Sequence, residues 1–358
     1  MIRNDVFVVG LGLGGEKVGY EFQQRNYPTY LVNGSGQDNK TLPEEAKDVL
    51  VLEGYDGLAG DRSLAFKALK NNKSILKKVV KIEKKVILLI ATGGGTTGSG
   101  CITHLAEILC EKCSDKIICA CIMMPRKDEP IKKRLNAYDT AKELMNIPEM
   151  GGIIFVNNEA CDSDLNKINY NLVNMLDAFF TDDSSSSVSN FDDSEKLKML
   201  SDHGAFIIAM RSDKVDLQDT SKIKRVSTQD MINALTARNI FLPISNGGVV
   251  ANIGIINQKD NRMDEKEIVK AVGTPENIFT GNNGNVNIVC VSGLEFPTEY
   301  IANMGRKAVD EQKQRLEKKK TSNLLDDLEE LEMETEITVK KTANKRRQIS
   351  LDLLNELE

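Results

Sequence analysis

The chain has 358 residues, 41% of them hydrophobic, and a formal net charge of −6 at pH 7. That length points to two domains, and the acidic balance excludes nucleic-acid binding over the whole surface, which needs a basic face. The longest apolar runs, such as 117–124, fall short of the roughly 18 residues of a membrane span, and the start Met1-Ile-Arg-Asn-Asp lacks a signal peptide's apolar stretch, so the expectation is a soluble, cytoplasmic protein with no membrane partner.

In chain order, 6–9 is a short apolar strand that runs into the glycine-rich stretch 10–19, and a helix follows through Phe22. The next strand, 30–32, ends in a polar turn at 33–38. A strand over 49–52 precedes a second glycine loop, 53–62, and a helix over 63–69. The run 86–91, β-branched at Val86, Ile87 and Ile90, reads as a strand buried on both faces. Glycine or threonine then fills eight of the nine positions 92–100, and Ile102, Leu105, Ala106, Ile108 and Leu109 recur at helical spacing, with Thr97 or Ser99 available as the cap. Strands over 117–124 and 153–156 end at Pro125 and at Asn157-Asn158. The repeated order of strand, loop and helix predicts an α/β fold with a doubly wound parallel sheet, its ligand at the carboxyl ends of the strands.

A long helix is predicted over 164–181, with Leu165, Ile168, Leu172, Met175, Leu176 and Phe179 inward, and the serine-rich stretch 182–190 breaks it. Strands at 205–210, 253–256 and 286–291, with a helix over 228–238, form a second, smaller α/β domain with a mixed sheet. A long helix over 299–320 leads into a tail of opposed charge: 326–336 holds seven acids, and 340–347 holds Lys340, Lys341, Lys345, Arg346 and Arg347 beside the apolar residues Ile349, Leu353, Leu354 and Leu357. The expected division is a nucleotide domain, 1–163; a central helix and following loop, 164–200; a second domain, 201–297; a C-terminal helix, 298–322; and a partner-binding tail, 323–358.

Seven cysteines without a secretion signal read as reduced thiols. Cys110, Cys113, Cys119 and Cys121 lack the glycines and histidines of a zinc knuckle and read as small buried hydrophobes. The two histidines, His104 and His203, are too few for a cluster and read as structural.

A run of glycines loses much backbone entropy on folding and recovers little by packing, so 92–100 must serve a purpose that needs bare backbone. Backbone N–H groups aimed out of such a loop, backed by a helix N-terminus, form a phosphate site, and Thr96, Thr97 and Ser99 add hydroxyls. No glycine loop here is followed by the lysine of a Walker motif. Gly10-Leu-Gly12-Leu-Gly-Gly15 matches the dinucleotide pattern Gly-x-Gly-x-x-Gly, but Asn33-Gly34 stands where that fold places its ribose-binding acid.

Residues 93–100, Gly-Gly-Gly-Thr-Thr-Gly-Ser-Gly, closely resemble the signature loop of the tubulin and FtsZ superfamily, with one extra threonine. Other stretches fall in that superfamily's order over roughly residues 1–300. The resemblance implies that GTP and GDP are held by Gly12, Gly14 and Gly15 of the first phosphate loop and by Gly57 and Gly60 of the γ-phosphate loop. It adds the signature residues Gly93, Gly94, Gly95, Thr96, Thr97, Gly98 and Ser99, with Asn33 at the end of the second strand and Glu129 in the ribose loop. Asn157 and Asn169 correspond to the guanine-reading asparagines, with Asn171 a rival for the second, and asparagine amides match guanine's donors and acceptor. Without a Walker lysine, Mg2+ bound mainly to the nucleotide phosphates is implied.

After the central helix the superfamily carries Asn-x-Asp-x-x-Asp, whose acids act on the nucleotide of a neighbouring subunit; this chain has Asn190-Phe-Asp192-Asp-Ser-Glu195. Two acids three apart lie on one helix face, although an acidic N-cap is the alternative. The long helix and basic tail resemble the plasmid and phage segregation branch, which implies a head-to-tail filament in a bacterial host. Its tail would engage a DNA-binding adaptor and, through it, centromeric DNA. A cell-division filament and a monomeric dinucleotide-binding enzyme are the competing readings.

Overall fold

The computed structural model describes residues 1–56, 58, 60–182, 191–215, 223–243 and 248–322, without the side chains of 38, 39, 215 and 318–322. Its first half alternates strand and helix: β1 (Val6–Leu11), α1 (Gly12–Gln24), β2 (Thr29–Asn33), α2 (Gly36–Asn39), β3 (Val49–Val51), α3 (Leu64–Asn71), α4 (Lys73–Val80), β4 (Val86–Thr92), α5 (Thr97–Lys112), β5 (Ile117–Met124), α6 (Ile131–Met145) and β6 (Gly152–Asn157). The central helix α7 (Leu165–Thr181) and the shorter α8 (Asp193–Ser201) follow. The second half holds β7 (Gly204–Arg211), β8 (Lys214–Val215), β9 (Ile223–Lys224), α9 (Thr228–Thr236), β10 (Val249–Gln258), α10 (Glu265–Val272), β11 (Thr274–Gly284), β12 (Asn287–Leu294) and α11 (Thr298–Ser322).

Ten strands form one sheet in the order β11-β10-β12-β7-β6-β5-β4-β1-β2-β3. From β3 to β7 every pairing is parallel, as the alternation predicts, whereas β12 runs antiparallel to both β7 and β10 and makes the second half mixed. The halves meet at only two residue pairs, Gly152 with Gly204 and Ile153 with Ala205. Farther along β6, residues 240–242 take its edge instead: Asn157 N–H donates to the Ile240 carbonyl at 2.7 Å and Leu242 N–H to the Phe155 carbonyl at 2.9 Å.

The central strands are buried on both faces because helices cover the sheet, and β4 is apolar from Val86 to Ala91 for that reason. The fully buried thiols of Cys101 and Cys119 are pushed up to about 12 by desolvation, so they act as small hydrophobes. Among the described residues no helix is long and apolar enough to cross a membrane.

Candidate nucleotide site

The glycine loops converge because β1 and β4 are parallel neighbours and both end at the same edge of the sheet. Gly12 opens α1 with φ +66°, a left-handed conformation that suits glycine, and a Cβ there would lie 2.8 Å from the Gly98 nitrogen. The first and signature loops are thus in backbone contact. Gly15 has a different setting: a Cβ on it would meet the Ile90 carbonyl oxygen at 2.3 Å, so this glycine lets α1 lie close on β4. Cβ atoms on Gly94 and Gly95 would point at Lys133 and at the Thr92 hydroxyl, so side chains there would deform the loop from behind.

The expected cap of α5 is not made. Thr96 is the N-cap residue, and its side chain accepts no capping bond; Thr97 is already helical, and the Ser99 hydroxyl donates back to the Gly95 and Thr96 carbonyls. The hydroxyl prefers those carbonyls because Ser99 lies a turn inside the helix, fully buried. α1 and α5 begin without a side-chain cap, as do α3, α4 and α6, whereas α7, α8, α9 and α10 are closed by Asp164, Asp192, Ser227 and Asp264. What sets α1 and α5 apart is that their uncapped N–H groups are adjacent, at the edge where the sequence reading expects an anion.

The loop after β4 is braced from α6 and from the second glycine loop, a support that the sequence reading missed. Asn136 Nδ2 donates to the Gly95 carbonyl at 3.3 Å, and buried Arg62 donates to the Ser99 carbonyl at 2.9 Å while forming two hydrogen bonds, 2.8 and 2.9 Å, to Glu143. Gly54 and Gly60 have φ +79° and +81° with open space around them; Gly57 lies outside the described residues.

Asn33 ends β2 fully buried, its Nδ2 donating to the Glu16 carboxylate at 2.9 Å and its Oδ1 accepting from Gly34 N–H, so it shapes the turn beside the first loop. Glu129 is also engaged within its own loop, accepting from Arg126 N–H at 3.0 Å and from Lys133 Nζ at 2.9 Å. Lys127 ties this loop to the next one through Glu159, at 2.8 Å from its backbone and 2.9 Å from its ammonium. Asn157 Oδ1 accepts from Glu159 N–H, which leaves its Nδ2 as donor.

The asparagines of α7 differ in their partners. Asn171 Nδ2 contacts Cys161 Sγ at 3.7 Å, and Asn174 Oδ1 accepts from Arg25 at 2.6 Å, whereas Asn169 is half-buried and makes no side-chain hydrogen bond among the described residues. One turn earlier on the same face, Leu165 is 47% exposed, an apolar surface beside Asn169 that the sequence reading assigned to the core.

Asp192 and Glu195 form a reciprocal capping box: Asp192 Oδ1 accepts from Ser194 N–H at 2.7 Å and Glu195 N–H at 3.4 Å, and Glu195 Oε2 accepts from Asp192 N–H at 2.9 Å. Their mutual hydrogen bond holds the Asp192 carboxyl below its ordinary range and lifts that of Glu195. Asn190 lies outside the described residues. The acids are remote from the glycine loops. The amino group of Met1 pairs with Asp193 at 2.8 Å, which puts the start of α8 at the amino end of β1, and six residues of strand, about 20 Å, separate that end from Gly12. Among the described residues no group of three His, Cys, Asp or Glu side chains is placed to hold a metal.

Backbone-lined loops at the carboxyl edge of a parallel sheet, without a Walker lysine, define a phosphate-binding α/β protein, and residues 6–166 match the Tubulin/FtsZ family GTPase domain. Over that stretch the chain is similar to the family's GTPase domain. It is 23% identical over 339 residues to the tubulin-like protein TubZ of Clostridium botulinum C phage, covering 91% of this chain and 88% of the relative. The crystal structure of Clostridium botulinum phage c-st TubZ superposes with a TM-score of 0.73 at 20% identity, covering 87% of this chain and 99% of the other. A GTPγS-form protofilament of Bacillus thuringiensis serovar israelensis TubZ superposes at 0.67 with 16% identity, covering 88% and 94%.

Proposed function

We propose that this protein hydrolyses GTP with Mg2+ and assembles head to tail into filaments, in which Asp192 and Glu195 of one subunit act on the nucleotide held by the next. The observation that carries this reading is the separation of the acids from the glycine loops by the full height of the sheet. Acids so placed cannot serve their own loops, but a translated copy would bring one end against the other. The protofilament form of the Bacillus thuringiensis relative supports such stacking.

The loops fit a triphosphate because they offer uncapped N–H groups and the hydroxyls of Thr96 and Thr97, with Asn157 and Asn169 for the base and Leu165 for its flat face. Mg2+ would supply charge neutralisation at the phosphates. Glu195, its carboxyl lifted by Asp192, is suited to orient an attacking water and accept its proton. The test is hydrolysis against protein concentration: a rate per subunit that rises with concentration, together with GTP-dependent sedimentation, is expected. A constant rate per subunit would rule the shared site out.

The cargo we propose is plasmid or phage DNA, reached through an adaptor that binds the tail. The tail lies outside the described residues, and its sequence supports the reading by setting five bases beside an apolar face. Deleting 340–358 is expected to leave sedimentation nearly unchanged and to abolish capture of the adaptor–DNA complex, in a manner that weakens with salt in the intact chain. Undiminished capture by the deletion would remove the tail from this role.

A further inference from the structure

A cationic site lies apart from the glycine loops. Where β7 ends and β8, β9 and α9 meet, a cavity of about 250 Å³ is lined by Arg211, Lys214, Lys224, Arg225 and Arg238, with Asp230 the one carboxylate among the described residues of its wall. None of the five cations forms an ion pair among the described residues, in a chain whose net charge is −6. Asp230 is engaged by the Ser227 hydroxyl at 2.8 Å and neutralises at most one of them.

The wall is held from behind. Asp213 turns its carboxylate away from the cations toward Val226 N–H at 2.8 Å, Asn261 Nδ2 at 2.9 Å and Asn287 Nδ2 at 3.0 Å. Arg225 is tethered through Nη1 to the Lys259 and Asp260 carbonyls, which leaves its other guanidinium N–H groups for a ligand. Five like charges around so small a space repel one another, and an anion carrying several charges would relieve that repulsion and take up their unused donors. The strand order sets β7 three strands from β4, about 14 Å, so this cavity is separate from the signature loop.

We propose that this cavity binds the phosphate chain of a small soluble oligophosphate, independently of the nucleotide at the glycine loops. A concave site of this volume suits a compact chain of two or three phosphates. The convex backbone of a duplex would touch only its rim, and among the described residues no aromatic side chain lines it for stacking on a base.

The experiment is calorimetric titration of tripolyphosphate into the full-length chain already saturated with GDP, so that the glycine loops are filled. One further equivalent is expected to bind, weakening as salt is raised. The exposed substitutions Lys214→Gln with Lys224→Gln, and separately Arg238→Gln, should weaken it about tenfold without altering GDP affinity. Absence of binding to the GDP-saturated chain, or binding that these substitutions leave unchanged, would overturn the proposal. So would duplex DNA binding that is lost in the same variants while tripolyphosphate fails to bind.

Discussion

Cys161, Asp162 and Ser163 take up left-handed backbone in succession, with φ of 51°, 55° and 61°, in the short connection between Asn157 and α7. Each such residue costs roughly 1–2 kcal/mol when it carries a Cβ, and strain of this kind concentrates at ligand sites. This turn lies beside the residues proposed to read the base, and within it Cys161 Sγ accepts from the Asn171 amide of α7. Replacing the exposed Asp162 by glycine is therefore expected to stabilise the fold by about 1 kcal/mol, read as a higher urea midpoint at unchanged slope. A lower midpoint would show that the Asp162 side chain contributes more than its backbone costs. Nothing in Cys-Asp-Ser signals a left-handed turn, because the usual marker, glycine, is missing. The glycines of the two loops were legible for the opposite reason: bare backbone in such density has few uses.

Among the elements, α8 shows how much of a site can hide behind ordinary residues. Lys196, one residue past Glu195, reads in sequence as a surface lysine, yet it is 1% exposed. Its ammonium donates to the Asp182 carbonyl at 2.6 Å and carboxylate at 3.2 Å and lies over the rings of Phe179 and Phe191. At the other end, Lys198 and the amide and hydroxyl of Asn252 and Ser292 converge on Asp202. The helix that carries the acids is thus pinned to the end of α7 and to the second half of the sheet. Lys196→Met is expected to destabilise by roughly 3 kcal/mol, because it leaves the Asp182 carboxylate buried without its cation. Adding Asp182→Asn should recover part of that loss in a urea double-mutant cycle; strict additivity would show that the pair does not act as a unit.

The same contrast separates the elements that were legible from those that were not. The central helix was predicted to within a residue of its observed start, since its apolar spacing is regular and Asp164 caps it. β11 was missed: Thr-Pro-Glu-Asn-Ile-Phe-Thr-Gly-Asn-Asn-Gly has the composition of a loop, and only its parallel pairing with β10 at the sheet edge makes it a strand. The acid pair was legible both as an acidic N-cap and as a motif resembling a shared catalytic one, and chain order alone cannot separate these roles, since it does not say which end of the sheet the acids occupy.

At the scale of the whole molecule that end is the decisive feature. α7 carries the chain about 26 Å along its 17 residues, from the carboxyl edge of the sheet toward the amino edge, and α8 begins beside Met1. Loops and acids therefore lie at opposite poles, and their functions should be separable between subunits. Glu195→Gln keeps an oxygen to accept from Asp192 N–H, so the cap survives while the charge is lost. Gly98→Val would drive a side chain into the Leu11 carbonyl, 2.4 Å from an ideal Cβ, and collapse the phosphate loops while leaving α8 untouched. Each variant alone is expected to hydrolyse GTP at less than about a tenth of the normal rate, a loss of more than about 1.4 kcal/mol in transition-state stabilisation. Mixed in equal amounts they should recover activity, because GTP held by a Glu195→Gln subunit then meets the intact acids of a Gly98→Val neighbour. Measured phosphate release that stays at the level of the separate variants, in a mixture shown by sedimentation to co-assemble, would place the acids at their own pocket and contradict the polar arrangement.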